Sequence, residues 1–148
     1  TVALVGGNGK MNEFQAAMGL CNLKYVEQEI GKRKHIYRQY QNRLSGIRGI
    51  RLCPEDPRVK RNYAYMPVVF EGYKKDRDQI FRELEQHEIH PRKYFYPCVN
   101  AYQCYKGRFL PEDTPVARRI SQEVLTLPMY ADLPLDVVDE ICDLILKN

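Results

Sequence analysis

Residues 6–20 read GGNGKMNEFQAAMGL and join a glycine-rich turn to the start of a helix. Asn12 followed three residues later by Gln15 is the pattern of a capping box, in which each side chain accepts a hydrogen bond from the other residue's backbone N–H. Glu13 lies in the first turn, where a negative charge complements the helix dipole. The sequence therefore predicts a helix that begins directly after Asn12.

Apolar residues continue beyond this cap at spacings of three and four, which is the helical period. This stripe consists of Phe14, Ala17, Met18, Cys21 and Tyr25, and a similar one follows at Ile30, Tyr37, Tyr40 and Leu44. We expect one long helix that bends at Gly31 and ends at Gly46, because glycine weakens a helix interior and favours its C-terminal end.

The rest of the chain mixes strands and helices without strict alternation. Strands are predicted at 50–53, 62–70 and 125–128, and helices at 76–85, 115–122 and from 134 onward. Asp76 with Gln79 repeats the capping box, and the last helix has an inward stripe at Leu135, Val138, Ile141, Cys142 and Ile145. Pro67 cannot donate to a strand ladder, which predicts an edge strand or a bulge. An α+β fold follows.

Composition limits the class of protein. The 148 residues are 44% hydrophobic and 28% charged, which is typical of a globular chain with one core. No run approaches the about 18 apolar residues that a membrane helix needs. The net charge of +4 permits an anionic ligand without requiring nucleic acid. Five cysteines without a Cys-x-x-Cys pair predict reduced thiols in a cytoplasmic protein.

The glycine-rich turn is the first candidate site. Backbone amides ahead of a helix, together with the Asn8 amide and the Lys10 ammonium, can receive a phosphate. The spacing is not that of a Walker loop. A simple flexible turn remains the alternative at this point.

The second candidate site is RKYFYP, residues 92–97. Two cations beside three aromatic rings can hold a ring and a phosphate, as in a nucleotide or an RNA strand. Strand alternation predicts that Arg92, Tyr94 and Tyr96 share one face, with Lys93 and Phe95 on the other.

Two other clusters of polar residues are more typical of an ordinary protein surface than of a functional site. His87 and His90 lie near Glu85 and Glu88, but their spacing gives no preorganised metal-ligand set, so we expect no metal site. Residues 32–38 are basic and are expected to form the solvent-exposed face of the long helix. The alternative is a stand-alone basic module that binds single-stranded nucleic acid.

Residues 8–20 resemble the signature of the DegT/DnrJ/EryC1/StrS family of pyridoxal-phosphate-dependent sugar aminotransferases, which is close to Asn-x-Arg/Lys-Met-x-Glu-x-Gln-Ala-Ala-x-Gly-Leu. Four later stretches agree in order, namely NYAY at 62–65, YFYP at 94–97, VA at 116–117 and LTLPMY at 125–130. The resemblance implies the C-terminal part of a fold-type I transferase. Residues 1–46 would be the end of the large domain and a long connecting helix, and 47–148 the small C-terminal domain.

The resemblance also implies the roles of individual residues. Asn8 would reach across a homodimer interface to the phosphate of the partner's pyridoxal 5'-phosphate, so that the active site is shared. Lys10 would bind the phosphates of a nucleotide-linked keto sugar or the donor carboxylate, and Arg92, Tyr94 and Tyr96 would contact the sugar or nucleotide. The donor would be glutamate, with no nucleic acid and no membrane among the partners.

The catalytic lysine of the family lies in a Ser-Phe-His-x-x-Lys segment, which we expect upstream of this chain. The 148 residues alone are therefore expected to be inactive. One departure from the family is Cys98, since many members have a Pro-x-His pattern after the tyrosine segment. The YFYP sequence is more similar to that of members that aminate position 3 of thymidine-diphosphate keto-deoxysugars. A non-catalytic dimerisation domain is a further alternative.

Overall fold

A computed structural model describes residues 9–105 and 107–147 of the chain. In this part, three strands form an antiparallel sheet in the order β1-β2-β3, where β1 is Ile50–Leu52, β2 is Met66–Phe70 and β3 is Val124–Leu127. The α-helices are α1 (Glu13–Leu23), α2 (Val26–Leu44), α3 (Arg77–Gln86), α4 (Pro115–Glu123) and α5 (Leu135–Leu146). Short 3-10 turns lie at Val99–Ala101, Gln103–Tyr105 and Pro111–Asp113. Helices and strands are mixed as predicted for an α+β fold.

The core lies between one face of the sheet and three helices. α2 packs against α5 and β1, and α3 packs against α5 and β3. The alternating burial of β2 places Met66, Val68 and Phe70 in this core. The predicted stripes of α2 and α5 are confirmed as core residues, since the buried side chains include Tyr37, Tyr40, Leu44, Val138, Ile141, Cys142 and Ile145.

The long helix is interrupted earlier than predicted. The capping box is present, with Gln15 N donating to Asn12 Oδ1 at 2.9 Å and Asn12 N donating to Gln15 Oε1 at 3.0 Å. The helix then breaks at Lys24 and Tyr25, where the backbone makes tighter i to i−3 hydrogen bonds. α2 then runs through Gly31 without a break, although glycine is less favourable than alanine in a helix interior by about 1 kcal/mol.

Two glycines have a positive φ that the turns require. Gly46 follows the last turn of α2 with a φ of 75°, as predicted for a helix end. Gly49 has a φ of 85°, and a Cβ there would lie 2.5 Å from the Tyr73 backbone. This close approach allows only glycine between α2 and β1.

Pro67 lies in the middle strand of the sheet and no bulge is present there, but the predicted edge position holds locally. It stands opposite Thr126 of β3 in regular register. β1 ends at Leu52, opposite Val68, so β1 does not reach Pro67. β2 is therefore locally an edge strand at this residue, which is where a sheet tolerates a missing N–H.

The two remaining predicted helices are also present. Asp76 and Gln79 form the capping box of α3, in which Asp76 Oδ1 and Gln79 Oε1 each accept a backbone hydrogen bond at 2.7 Å. α4 begins with Pro115 at its first position. Within the described residues, no helix is both long enough and apolar enough to cross a membrane.

Candidate functional site

Arg92 lies at the edge of β3 that does not pair with β2. Arg92 N donates to Thr126 O at 2.9 Å, and Thr126 N donates to Arg92 O at 2.8 Å. This single antiparallel bridge continues the sheet by one residue beyond β3. It places the Arg92 side chain at the mouth of a cleft.

The cleft has a volume of about 380 Å³ and is lined by three separate segments of the chain. Tyr65 comes from the segment before β2, Arg92 and Tyr94 come from the edge segment, and Tyr130 follows β3. The volume falls within the range of small-molecule sites, about 300–1,000 Å³. Its lining supplies a cation, aromatic faces and phenol hydroxyls.

Arg92 and Tyr94 form one unit in this cleft. The Arg92 guanidinium donates a hydrogen bond to the Tyr94 hydroxyl and lies 5.5 Å from the centre of its ring. This hydrogen bond raises the pKa of Arg92, so the guanidinium stays cationic. Tyr65 contacts the Tyr94 ring edge-on, with 5.9 Å between ring centres. A stable positive charge therefore lies beside two tyrosine rings.

Tyr96 does not share a face with Arg92 and Tyr94, so the prediction from strand alternation is wrong here. The segment turns after Arg92, with Tyr96 N donating to Lys93 O at 2.9 Å. The Tyr96 ring packs instead over the Arg77 guanidinium, 4.7 Å from its carbon to the ring centre. The rule of alternation does not apply because the segment leaves the extended conformation.

Lys93 and Phe95 also separate from each other. The Lys93 ammonium lies 2.5 Å from Asp78 Oδ1 and 4.3 Å from the centre of the Phe81 ring. Phe95 stacks on Tyr94, with 4.8 Å between ring centres. The hydrogen bond from Lys93 lowers the pKa of Asp78, and the charge of Arg77 adds to the effect.

The glycine-rich turn lies only partly within the described residues. Asn8 lies outside the described residues, so nothing is added to its prediction. Lys10 is exposed in the segment that leads into α1, and it is not among the residues that line the Arg92 cleft. The backbone amides of Asn12 and Gln15 are already bonded within the capping box.

The histidines make local contacts at the end of α3. His87 Nδ1 lies 2.9 Å from the Glu83 carbonyl oxygen, and His90 Nδ1 lies 2.9 Å from Glu85 Oε1. His90 also lines the Arg92 cleft. In the part of the chain that the structure describes, no three metal-ligating side chains cluster together.

The basic face of α2 is engaged in contacts within the chain. The Lys32 ammonium lies 2.9 Å from Asp132 and 3.1 Å from Glu29. Arg33 Nε donates to Asn62 O at 3.2 Å, and Arg38 pairs with Glu55 at 2.9 Å. These cations are therefore partly neutralised on the protein itself.

Tyr65 and Tyr130 are cleft residues that the residue-by-residue sequence reasoning did not select. Tyr65 appears in the sequence analysis only as the last residue of NYAY, and Tyr130 only as the last residue of LTLPMY. The signal that could have found them was their place in motif stretches 62–65 and 125–130. Those stretches flank β2 and β3, which pair with each other.

α1 presents its apolar stripe to solvent. Phe14 is 85% exposed and Met18 is 66% exposed, and no residue in Glu13–Leu23 is buried. Contiguous apolar surface of this kind marks an interaction site in soluble proteins.

Comparison with known proteins gives a consistent result. The chain is 39% identical over 149 aligned residues to the dTDP-4-amino-4,6-dideoxy-D-glucose transaminase of Escherichia coli, covering 99% of this chain and 40% of that protein. It is 33% identical to the Shigella dysenteriae protein of the same name, covering 95% of this chain and 38% of that one. The chain thus spans about 40% of the length of these relatives.

Solved structures agree with the sequence relatives. The structure of DesI in the presence of its TDP-sugar product superimposes with a TM-score of 0.83 at 27% identity, covering 95% of this chain and 36% of that chain. The model of the DegT/DnrJ/EryC1/StrS aminotransferase family matches residues 1–146. The resemblance found in residues 8–20 is thereby confirmed over nearly the whole length, and the chain belongs to the DegT/DnrJ/EryC1/StrS aminotransferase family.

Proposed function

We propose that this chain is the C-terminal part of an aminotransferase that moves an amino group from glutamate to carbon 4 of a dTDP-linked keto-deoxysugar. The family supports transamination, and the names of the E. coli and S. dysenteriae relatives favour a dTDP sugar. The same names favour position 4 over the position 3 that YFYP suggests. The coverage of about 40% of these relatives supports a partial chain.

A single observation carries this proposal. Three of the four motif stretches that follow the N-terminal signature are far apart in sequence yet contribute to one cleft, whereas Ala117 of the fourth stretch lines two other cavities. Tyr65 comes from 62–65, Tyr94 from 94–97, and Tyr130 from 125–130. A family signature that converges on one cavity is what a binding site requires, whereas packing motifs would converge on the core.

The cleft chemistry fits a nucleotide sugar. Arg92 stays cationic and presents a planar fork of donors, which suits a diphosphate or a sugar hydroxyl. The rings of Tyr65 and Tyr94 offer apolar faces to a deoxysugar, and their hydroxyls can donate or accept hydrogen bonds. Tyr96 packs on Arg77 and is half exposed. We propose that it contacts the ligand from the rim.

Pyridoxal 5'-phosphate, when bound, supplies the aldehyde carbon that carries the amino group between donor and acceptor. We propose that Asn8 binds its phosphate and that Lys10 binds the phosphates of the sugar nucleotide or the donor carboxylate. The exposed Lys10 ammonium ahead of the helix N-terminus has the sign of charge that a phosphate needs. The lysine that binds the cofactor aldehyde would lie upstream, so the 148 residues alone would be inactive.

We further propose a homodimer with a shared active site. The exposed apolar face of α1, next to the glycine-rich turn, supports an arrangement in which this helix lies against other parts of the assembly. The turn would then be carried to the cofactor of the partner subunit.

Nucleic-acid binding is the less favoured alternative. The basic face of α2, which would contact the nucleic acid, makes ion pairs within the chain with Glu29, Glu55 and Asp132. The Arg92 segment lies in a small cleft and not along an open groove. No specific observation favours a single-stranded polymer over a small anionic ligand.

The test uses the intact protein, glutamate and dTDP-4-keto-6-deoxyglucose. We expect cofactor absorbance in the visible range, conversion by glutamate, and formation of a dTDP-amino sugar. Arg92→Gln should lower the rate with the sugar about tenfold or more, because a hydrogen-bonded charge is lost. Arg58→Gln is the matched control, since Arg58 pairs with Asp56 away from the cleft. An intact protein that binds no cofactor, or that aminates no nucleotide sugar, would contradict the proposal.

A further inference from the structure

The first two residues of α3 contact the segment 92–97 at two places. Arg77 contacts Tyr96, and Asp78 contacts Lys93. These contacts bracket Tyr94, which lies between Lys93 and Tyr96 in the sequence. α3 therefore contacts the segment on both sides of Tyr94, and no residue of α3 lines the cleft.

Arg77 is held by the end of another helix. It is only 3% exposed, and its Nη1 donates to Ser121 O at 3.1 Å and to Val124 O at 3.3 Å. Ser121 O is one of the last carbonyls of α4, which lack partners within their own helix and favour a cation. The Arg77 guanidinium is therefore fixed in place before Tyr96 packs on it.

Asp78 connects the two cations. Its Oδ1 lies 2.7 Å from Arg77 Nε and 2.5 Å from the Lys93 ammonium. The pKa of Asp78 is lowered by these contacts, so the carboxylate is ionised at neutral pH. Lys93 is only about 29% exposed and also lies over the Phe81 ring of α3. The lysine is thus anchored to α3 by charge and by packing.

The consequence for the cleft is geometric. Arg92 is fixed by two backbone hydrogen bonds to Thr126, and Lys93 and Tyr96 are fixed by α3. Tyr94 lies between these anchors and receives the hydrogen bond from Arg92. Its ring contacts the rings of Tyr65 and Phe95. Binding groups held in this way lose little freedom when a ligand arrives.

We infer that Arg77 and Asp78 are positioning residues that preorganise Arg92 and Tyr94 for the nucleotide sugar. This inference rests on the function proposed above. It assigns the two α3 residues no contact with the ligand, and their effect passes through Lys93 and Tyr96. The function proposed above assigns this segment to the nucleotide sugar and not to glutamate, so the half-reaction with the nucleotide sugar should depend on it and the half-reaction with glutamate should not.

The experiment measures the two half-reactions of the intact enzyme separately, together with calorimetric binding of dTDP. Asp78→Asn removes the charge that holds Lys93. We expect kcat/KM for the nucleotide sugar to fall about tenfold, since small misplacements of binding groups have effects of this size or larger. The glutamate half-reaction should stay within about twofold, and dTDP should bind more weakly.

The matched control is Glu83→Gln. Glu83 also lies on α3 and forms an ion pair with Lys75 at 2.7 Å, but it does not contact residues 92–97. We expect this variant to leave both half-reactions unchanged. Lys93→Arg keeps the ion pair and should retain most of the activity that Lys93→Met loses. Arg77→Met removes the guanidinium beneath Tyr96 and tests that contact independently of Asp78.

The outcomes separate this inference from the proposed function. Loss in Arg92→Gln with unchanged sugar kinetics in Asp78→Asn and Arg77→Met would overturn the positioning role and leave the function standing. Equal losses in both half-reactions, or a loss in Glu83→Gln of the same size, would also overturn it, because they indicate a general effect on folding. Absence of amination by the unmodified enzyme would refute the proposed function itself.

Discussion

α1 and α2 follow each other in the chain and have similar apolar spacings, yet they end in opposite environments. The stripe of α2 is buried against α5 and the sheet, whereas no residue of α1 is buried. The exposed helix is the one with fewer charges, EFQAAMGLCNL against VEQEIGKRKHIYRQYQNRL. Apolar periodicity therefore indicates that a face will be covered, but it does not indicate which molecule or domain covers it.

The proposed function explains this difference between the two helices. α2 completes a core that the described residues supply by themselves. α1 carries apolar side chains such as Phe14 and Leu23 with large exposed fractions. We propose that other parts of the intact aminotransferase, or its partner subunit, bury them.

The largest expected contrast is in folding stability. Tyr40 is fully buried and its hydroxyl donates to Pro128 O at 3.1 Å, so Tyr40→Ala should lower the free energy of unfolding by about 3–5 kcal/mol. Phe14→Ala in α1 should change it by less than about 0.5 kcal/mol in the 148-residue chain. Urea unfolding of the two variants measures the difference. Similar losses would mean that α1 belongs to the same core.

Thiol reactivity gives a second contrast. Burial raises the pKa of Cys142 in α5 to about 12, whereas Cys21 in α1 is exposed. Only the thiolate reacts, so Cys21 should be alkylated at least about a hundredfold faster than Cys142 in the native chain. Mass spectrometry of a timed iodoacetamide reaction measures both rates. Protection of Cys21 in the isolated chain would contradict the exposure of α1.

Glycine substitutions give a smaller contrast. Gly19 in α1 and Gly31 in α2 both lie in helices where a Cβ would meet open space. Gly31→Ala should raise stability by up to about 1 kcal/mol, since α2 unfolds with the core. Gly19→Ala should leave the global value nearly unchanged, because α1 opens locally. Thermal unfolding compares the two. An equal gain in both variants would show that the helices unfold together.

The smallest expected effect is the loss, in acid, of the stability contributed by the ion pair between Lys93 and Asp78. Hydrogen bonding to Lys93 lowers the pKa of Asp78 below its value in the unfolded chain, about 3.9. The resulting stabilisation is complete above that pH and is lost as the pH falls through the lower folded pKa. Stability of the chain and of Asp78→Asn should therefore converge in acid. A constant difference down to the lowest pH would argue against the ion pair.

Local patterns were predicted well from the sequence. The capping boxes at Asn12 and Asp76 depend on residues three apart, and both are present. The inward stripe of α5 was also predictable, because its period is regular. These features depend on neighbours in the chain, which the sequence shows directly.

Features that depend on distant partners were predicted less well. The place of Pro67 in a central strand depends on how far β1 extends, and the direction of Tyr96 depends on the buried Arg77 beneath it. Within the site, Arg92 and Tyr94 were correctly paired, but the link to α3 was not visible from sequence. Lys93 and Asp78 are fifteen positions apart, and no local pattern joins them.

Hydrogen exchange of the intact protein tests the account most directly, with and without dTDP-4-amino-4,6-dideoxy-D-glucose, and with the 148-residue chain as reference. We predict that residues 13–23 exchange rapidly in the isolated chain and slowly in the intact protein, and that residues 92–97 gain protection when the nucleotide sugar binds. Rapid exchange of residues 13–23 in the intact protein, together with no change at residues 92–97, would contradict the account.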